Sequence, residues 1–458
     1  MSPNRAGASP GCGTEGESTV VGNSVRGPDR NSTVHPTATA TAMRATRPAP
    51  APSQLLIARS MDGPPMPEVR PAGGHAGGSG QQWTSEPRAQ SPIGRRGAPR
   101  ERGQHVGRAL GDLVERSLGF YHEYLERRGI ASRQLQGFLA PYLVAAEAEL
   151  PTYTELLKGM AEGAMVPVWE LFAVNAFEEL ELLLEPQTGR MSFLQTDAGM
   201  TPAPRPRIDP DRCSTFAVSG PGFTLLGHNE QWLSGDEGNV AVVIDIPGLG
   251  SPTVVSPTVV CCLPAVGMND LGGAQGIQSL VASDDEPGVP RVFVSRHTLE
   301  AGDRPDAVKR AAMPGRAGGY GHVFAFRGGD TFIVETTGRR HSLLSGPGPH
   351  TNHYLDPELG DMGPAPSPGS VSRYERLLQL LEERPPETPE DVMAILQDHE
   401  SRPQAICRHA DPRDGDEAAS VLFSTVFDVE RGRMWVAPGY PCTTPYEEID
   451  LTGVIAAS

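Results

Sequence analysis

The sequence predicts an α+β protein in which sheets are covered by helices. Three observations carry this. Over roughly 106–187, apolar residues recur three and four apart, the period of helices buried on one face. From residue 213 the period changes to short β-branched runs separated by Gly, Pro, Asn and Asp, the pattern of strands and turns. Strands and helices then come in blocks rather than in alternation, which argues against repeated βαβ units.

Residues 1–105 are rich in Pro, Gly, Ala, Ser, Thr and Arg and poor in large apolar side chains. Such a segment cannot bury enough surface to offset chain entropy, so a disordered tail or an upstream start is expected, with Met43, Met61 and Met66 as other starts. Order is expected from Val106. Leu110, Leu113, Val114, Leu118, Tyr121, Tyr124 and Leu125 make one apolar helix face that Gly129 closes. Further helices are expected over 133–150, with a kink or break at Pro141, then over 153–163 and 168–184. Residues 106–212 thus form a helical region, whose last part, 188–212, is a polar, Pro-rich connector expected to be exposed and cleavable.

Residues 213–458 form the second region. Strands are expected at 215–218, 223–227, 240–246, 259–263 and 276–281, followed by helices at 291–302 and 303–313. Three more strands follow at 322–326, 331–336 and 342–344, then helices at 370–383 and 388–397. A hairpin, 421–429 with 433–437 around Arg431-Gly432, ends the pattern.

The formal net charge of −17 argues against general nucleic-acid binding, although the first 104 residues carry twelve Arg against seven Asp and Glu. No stretch reaches the roughly 18–20 apolar residues of a membrane span, so no membrane association is expected. With no secretory signal legible, the cytoplasm is the expected compartment and the six cysteines, at 12, 213, 261, 262, 407 and 442, are expected to be reduced. Their spacing fits no zinc ribbon and no Cys-x-x-Cys redox pair.

One cysteine has chemically suggestive neighbours. Cys213 heads the apolar run Ser214-Thr215-Phe216-Ala217-Val218, and the following strand ends in Gly227-His228-Asn229-Glu230-Gln231-Trp232. A thiol of pKa about 8.5 is mostly protonated at neutral pH and needs a partner to take its proton. Cleavage of the Arg212–Cys213 bond would give Cys213 a free α-amino group, so that one residue supplies both nucleophile and base.

Other segments are less specific. The stretch 267–276 is a Gly-rich polar turn, and it is no phosphate loop, since no lysine follows it. His350 and His353 lack a third ligand at a telling distance, so no metal site is assigned. Asn352 between them has an amide able to donate to an oxyanion, and it equally suits a turn. Arg408 lies between Cys407 and His409, which raises the separate possibility of a Cys407–His409 dyad.

Together these segments resemble the acyl-coenzyme A:6-aminopenicillanic acid acyltransferase-like family, the C45 cysteine peptidases, a family of N-terminal-nucleophile (Ntn) hydrolases. The resemblance runs from Gly159-Met160-Ala161-Glu162-Gly163-Ala164 through Cys213-Ser214-Thr215-Phe216-Ala217 and Gly227–Trp232. It continues through Gly267-Met268-Asn269, Glu335-Thr336-Thr337, His350–Tyr354, Cys407-Arg408-His409 and Arg433–Gly439. In all it covers about 106–450.

The resemblance implies a four-layer αββα fold and a proprotein that cuts itself between Arg212 and Cys213. It implies Cys213 as nucleophile, its α-amine as base, Asn352 as oxyanion donor and Arg408 as an arginine near the nucleophile. It further implies a small-molecule amide or acyl thioester as substrate, with transfer to water or an amine and no cofactor. The family's aspartate before Trp is Gln231 here. An uncharged amide cannot stabilise an ammonium in the same way, and the neighbouring Glu230 is expected to point elsewhere along the strand. A catalytically impaired binding or scaffold protein is therefore the alternative reading. Arg212, where the penicillin enzyme has glycine, also departs from the pattern.

Overall fold

A computed structural model of the chain describes residues 92–184, 212–248, 250–411, 413 and 415–450. The chain enters through strand β1, Ile93–Arg96, and helix α1, Pro99–Ala109. The expected tail boundary at 105 is therefore corrected, because it falls inside α1. Gly103 and Gly107 let α1 lie directly on the backbone of a later helix, where a Cβ at either position would sit about 2 Å from a carbonyl oxygen. Close approach through small residues, not large apolar side chains, orders this segment, which is why a search for an apolar face missed it.

Helices α2 Gly111–Arg127, α3 Ser132–Glu149 and α4 Pro151–Ala164 follow. The helix expected from Val106 to Gly129 is thus two, broken after Leu110, while α3 runs through Pro141 without ending. The helix expected over 168–184 is likewise two, α5 Val168–Asn175 and α6 Phe177–Leu184. The connector falls outside the described residues except for its last residue, Arg212, which is buried rather than exposed.

Strands β2 Ser214–Gly220 and β3 Phe223–Leu233 form an antiparallel pair. β4 Val240–Ile246 lies where expected. The strand expected at 259–263 is instead β5, Val254–Val259; Cys261, at φ 76°, carries the chain out of extended conformation soon after it. β6 Gly267–Asn269 and β7 Gly273–Leu280 make a hairpin from the Gly-rich stretch. Asn269 closes its turn, accepting from the N–H groups of Leu271 and Gly273 at 3.0 Å each.

Helices α7 Arg291–Thr298 and α8 Arg304–Ala311 precede strands β8 Gly319–Phe326, β9 Asp330–Thr336, β10 His341–Ser345 and β11 Gly348–His350. A short helix, α9 Pro357–Gly360, leads to α10 Pro368–Glu383 and α11 Pro389–Leu396. Strands β12 Ala419–Asp428, β13 Arg433–Ala437 and β14 Glu447–Asp450 complete the described chain.

The strands form two sheets. One has eight strands in the order β1-β4-β5-β6-β7-β8-β9-β10, and the other six in the order β11-β2-β3-β12-β13-β14. β1 pairs parallel with β4, and the remaining pairings are antiparallel. Ala217, Leu226, Phe423 and Phe427 of the six-stranded sheet pack against Val242, Ile277, Val323 and Ile333 of the eight-stranded one. Helices α2–α5 bury their apolar sides against Ala241 and Val243. Leu377 and Leu380 of α10 and Val392 and Leu396 of α11 cover Phe216, Leu225 and Val426 on the far side of the smaller sheet. These contacts establish the α+β class.

Candidate active site

Cys213 lies one step beyond the last β2–β3 pair, Ser214 with Asn229, so it stands opposite Glu230. Strand alternation then decides which side chains it meets. His228 and Glu230 point toward the facing sheet, while Asn229 and Gln231 point away from it. The Cys213 thiol donates to Glu230 Oε1 at 3.4 Å. Gln231 Nε2 instead donates to the Ile406 carbonyl at 3.0 Å, beside Asn229 Nδ2, which donates to the same oxygen at 2.9 Å. The expectation that Glu230 points elsewhere is corrected, because residue 230, not 231, shares a face with the thiol.

A chain of hydrogen bonds backs Glu230. Gln278 Nε2 on β7 donates to Thr215 Oγ1, and Thr215 Oγ1 lies 2.7 Å from His228 Nδ1. His228 Nε2 lies 3.0 Å from Glu230 Oε2. With Thr215 already accepting from Gln278, its hydroxyl hydrogen is free for Nδ1, which leaves the Nε2 hydrogen for the carboxylate. The two sheets close tightly here: a Cβ on Gly276 would stand 2.6 Å from Thr215 Cγ2.

Burial pushes the Cys213 thiol well above its ordinary pKa, and the charge on Glu230 adds to the rise. The backbone N–H of Gln231 works against both. The thiol is therefore protonated at neutral pH until a base takes its proton.

Backbone groups around the nucleophile are held by two side chains. Arg373 of α10 donates through one nitrogen to the Cys213 carbonyl at 2.7 Å and to Ser214 Oγ at 2.8 Å. Its other nitrogen donates to Asn352 Oδ1 at 3.0 Å. Asn352 Oδ1 also accepts from the Arg212 N–H at 2.8 Å, and Asn352 Nδ2 donates to the Ser279 carbonyl at 3.3 Å. Asn352 thus sits beside the Arg212–Cys213 junction. The guanidinium touching Cys213 is that of Arg373, which the sequence reading missed. No signal in the sequence marks it, because the contact joins α10 to the start of β2, far apart in the chain. Arg408 is buried in the loop before β12, where its carbonyl accepts from the Val421 N–H at 3.0 Å.

Arg212 is anchored as firmly as Cys213. Its guanidinium pairs with Glu181 of α6 and lies 3.6 Å from the centre of the Trp232 ring. α6 is tied on two more sides. Ser279 Oγ donates to Glu178 at 2.6 Å, and Arg291 pairs with Glu179 at 3.0 Å.

A cavity opens beside Cys213. Its walls are mainly apolar and come from both sides of the Arg212–Cys213 bond. Val174 and Phe177 of α5 and α6 face Trp232, Ile277, Val266 and Phe423, with Glu178, Glu179 and Glu230 as acidic groups.

Residues 219–442 match the family described as acyl-coenzyme A:6-aminopenicillanic acid acyl-transferase. The match begins beyond Cys213. No curated protein matches the sequence significantly. Among solved structures, penicillin V acylase from Agrobacterium tumefaciens aligns with 17% identity and a TM-score of 0.37, over 52% of this chain and 86% of that one. A mutant conjugated bile acid hydrolase from Clostridium perfringens aligns with 13% identity and a TM-score of 0.36, over 52% and 93%. Among the described residues, no helix is long and apolar enough to cross a membrane.

Proposed function

We propose that the chain is a self-processing amidohydrolase or acyltransferase with Cys213 as its nucleophile, acting on an amide or acyl thioester whose acyl part is apolar. The observation that carries this reading is the placement of the Cys213 thiol at the wall of a mainly apolar cavity, 3.4 Å from the Glu230 carboxylate. An apolar pocket holds an acyl chain, and a carboxylate beside a thiol gives its proton somewhere to go.

In the uncut chain Glu230 takes the thiol proton and the sulfur attacks the Arg212 carbonyl carbon. The carbon–sulfur bond forms, the peptide bond breaks, and the Cys213 nitrogen gains a proton and becomes an amine. Water then opens the thioester and leaves Arg212 with a carboxylate. In the mature protein the new amine accepts the thiol proton, and the sulfur attacks the substrate carbonyl. The leaving amine or thiol takes that proton, and water or an acceptor amine releases the acyl group. Asn352 is the oxyanion donor in this scheme, and Arg373 positions Cys213 through its carbonyl. The scheme belongs to the cytoplasmic, four-layer Ntn class that the sequence suggested.

Intact-mass spectrometry with N-terminal sequencing tests the reading. A fragment beginning at Cys213, absent from Cys213→Ala, is the expected result. A folded chain that stays whole would shift the reading to a binding protein of the same fold. A Cys407→Ala variant that loses activity while the chain stays whole would point to the Cys407–His409 pair instead.

A further inference from the structure

The sequence assigned no metal ligands, yet four metal-binding side chains meet far along the chain from the nucleophile. His399, Cys407, His409 and Cys442 bring their ligand atoms within 4.8 Å of one another. His409 Nε2 lies 3.2 Å from His399 Nε2, 3.2 Å from Cys442 Sγ and 3.7 Å from Cys407 Sγ. Tetrahedral zinc with bonds of about 2.0–2.1 Å to nitrogen and 2.3 Å to sulfur separates its ligands by roughly 3.3–3.8 Å. The three contacts fall in or just below that range.

Hydrogen bonding alone does not account for the convergence. One imidazole nitrogen carries one hydrogen or one lone pair, so Nε2 of His409 can satisfy only one of its three neighbours. A cation at the centre satisfies all four ligands at once. Two thiolates balance the charge of a divalent ion, which suits a site where Cys407 is fully buried and the other three ligands are half-buried. The His409 ring is also held in place, stacking on Tyr440 at 4.1 Å between centres.

We infer that His399, Cys407, His409 and Cys442 form a structural site for a divalent transition metal of the zinc type. Two sulfurs and two nitrogens in tetrahedral range select zinc over magnesium or calcium. Four protein ligands leave no open position for a reactive water, so the site is structural. It joins the loop after α11 to the loop after β13. Ile406, next to Cys407, is the residue whose carbonyl receives both Asn229 and Gln231 from behind β3. The metal therefore fixes the loop that braces the nucleophile's partner strand. The spacing of the four ligands follows no zinc-ribbon pattern, because they come from two loops that only the fold brings together.

The test is elemental analysis of the purified full chain, followed by X-ray absorption of the metal-loaded protein. About one zinc per chain, in a shell of two sulfurs and two nitrogens, is the expected result. A shell with other donors, or no zinc bound after reduction and zinc addition, overturns the inference. A Cys407–Cys442 disulfide persisting in reduced protein overturns it as well. Cys213, His228 and Glu230 also converge within metal-binding range, so Cys213→Ala serves as the control. It should keep its full zinc content, and loss of the metal there would move the site to the nucleophile. Cobalt-substituted wild-type protein should show the visible bands of a tetrahedral thiolate site, and Cys442→Ser should lose them.

Discussion

Glu230 Oε1 lies 3.4 Å from Cys213 Sγ, on the face of β3 that looks into the sheet interface, while Gln231 braces the Ile406 carbonyl on the opposite face. Removing the Glu230 charge should therefore have two opposite effects. Glu230→Gln takes away an anion that raises the thiol pKa, so alkylation of Cys213 by iodoacetamide at fixed pH should become faster. The same change removes the proton acceptor of the uncut chain, so self-cleavage should slow by about 100-fold or more. Labelling rates and cleavage time courses on one preparation measure both. Unchanged cleavage would remove Glu230 from the proposed scheme.

Restoring an aspartate at position 231 should not speed processing. The Gln231 side chain is fully buried and its amide donates to Ile406. An aspartate has no hydrogen to give there and would bury a charge near a carbonyl oxygen. Gln231→Asp should cost about 3 kcal/mol or more and lower the Tm by several degrees, as read by thermal unfolding. A faster-cleaving variant of undiminished stability would show that this carboxylate reaches the site after all.

Cutting at Arg212 should leave the two pieces together. α2–α5 supply much of the core that covers Ala241 and Val243, β1 pairs with β4, and α6 forms part of the cavity wall. Size exclusion of the cut protein should show both fragments in one peak without a disulfide, separating only in denaturant. Fragments that part under native conditions would mean that the cavity loses the wall formed by Val174 and Phe177.

How much of this was legible follows from the kind of interaction involved. β4, α10 and the β12–β13 hairpin appear close to their expected bounds because periodicity and turn residues determine them locally. α1 was hidden because glycine-mediated backbone contact leaves no apolar pattern. Cys213 could be picked out from its neighbours, and strand alternation correctly separates positions 230 and 231. It does not say which of the two faces the thiol, and that depends on the register of Ser214 with Asn229. Arg373 beside Cys213, and the meeting of His399, Cys407 and His409 with Cys442, were beyond reach, since the fold alone brings these residues together.

Asp245 joins the two parts of the chain through charge. It sits between Arg102 of α1 and Arg296 of α7, all three nearly inaccessible to solvent. Burial alone would raise its pKa, but Arg296 and Arg102 outweigh that and hold it below the usual carboxylate value. A depressed pKa contributes stability above the unfolded value of about 3.9, and that contribution is lost as pH falls through the folded value. Asp245→Ala leaves two buried guanidiniums facing each other and should cost about 3–5 kcal/mol at pH 7. Urea unfolding at pH 7 checks the magnitude, and a loss under 1 kcal/mol would mean that the arginines find other partners.

His322 should add a second acid sensitivity in a different window. Its ring lies between Tyr320 and Phe324, each 5.9 Å away between centres. Burial lowers its pKa to about 3, with Arg316 and His350 adding to the effect. The unfolded chain has a histidine of pKa about 6.5, so below that pH the unfolded state binds a proton that the native state refuses. Stability from this source is complete above pH 6.5 and falls by about 1.4 kcal/mol per pH unit between there and pH 3. His322→Phe keeps an aromatic ring of similar size and removes the titration. Its stability should therefore change less between pH 7 and pH 5 than that of the wild type, by about 2 kcal/mol. Equal slopes for the two proteins would show that the native state admits a proton at His322.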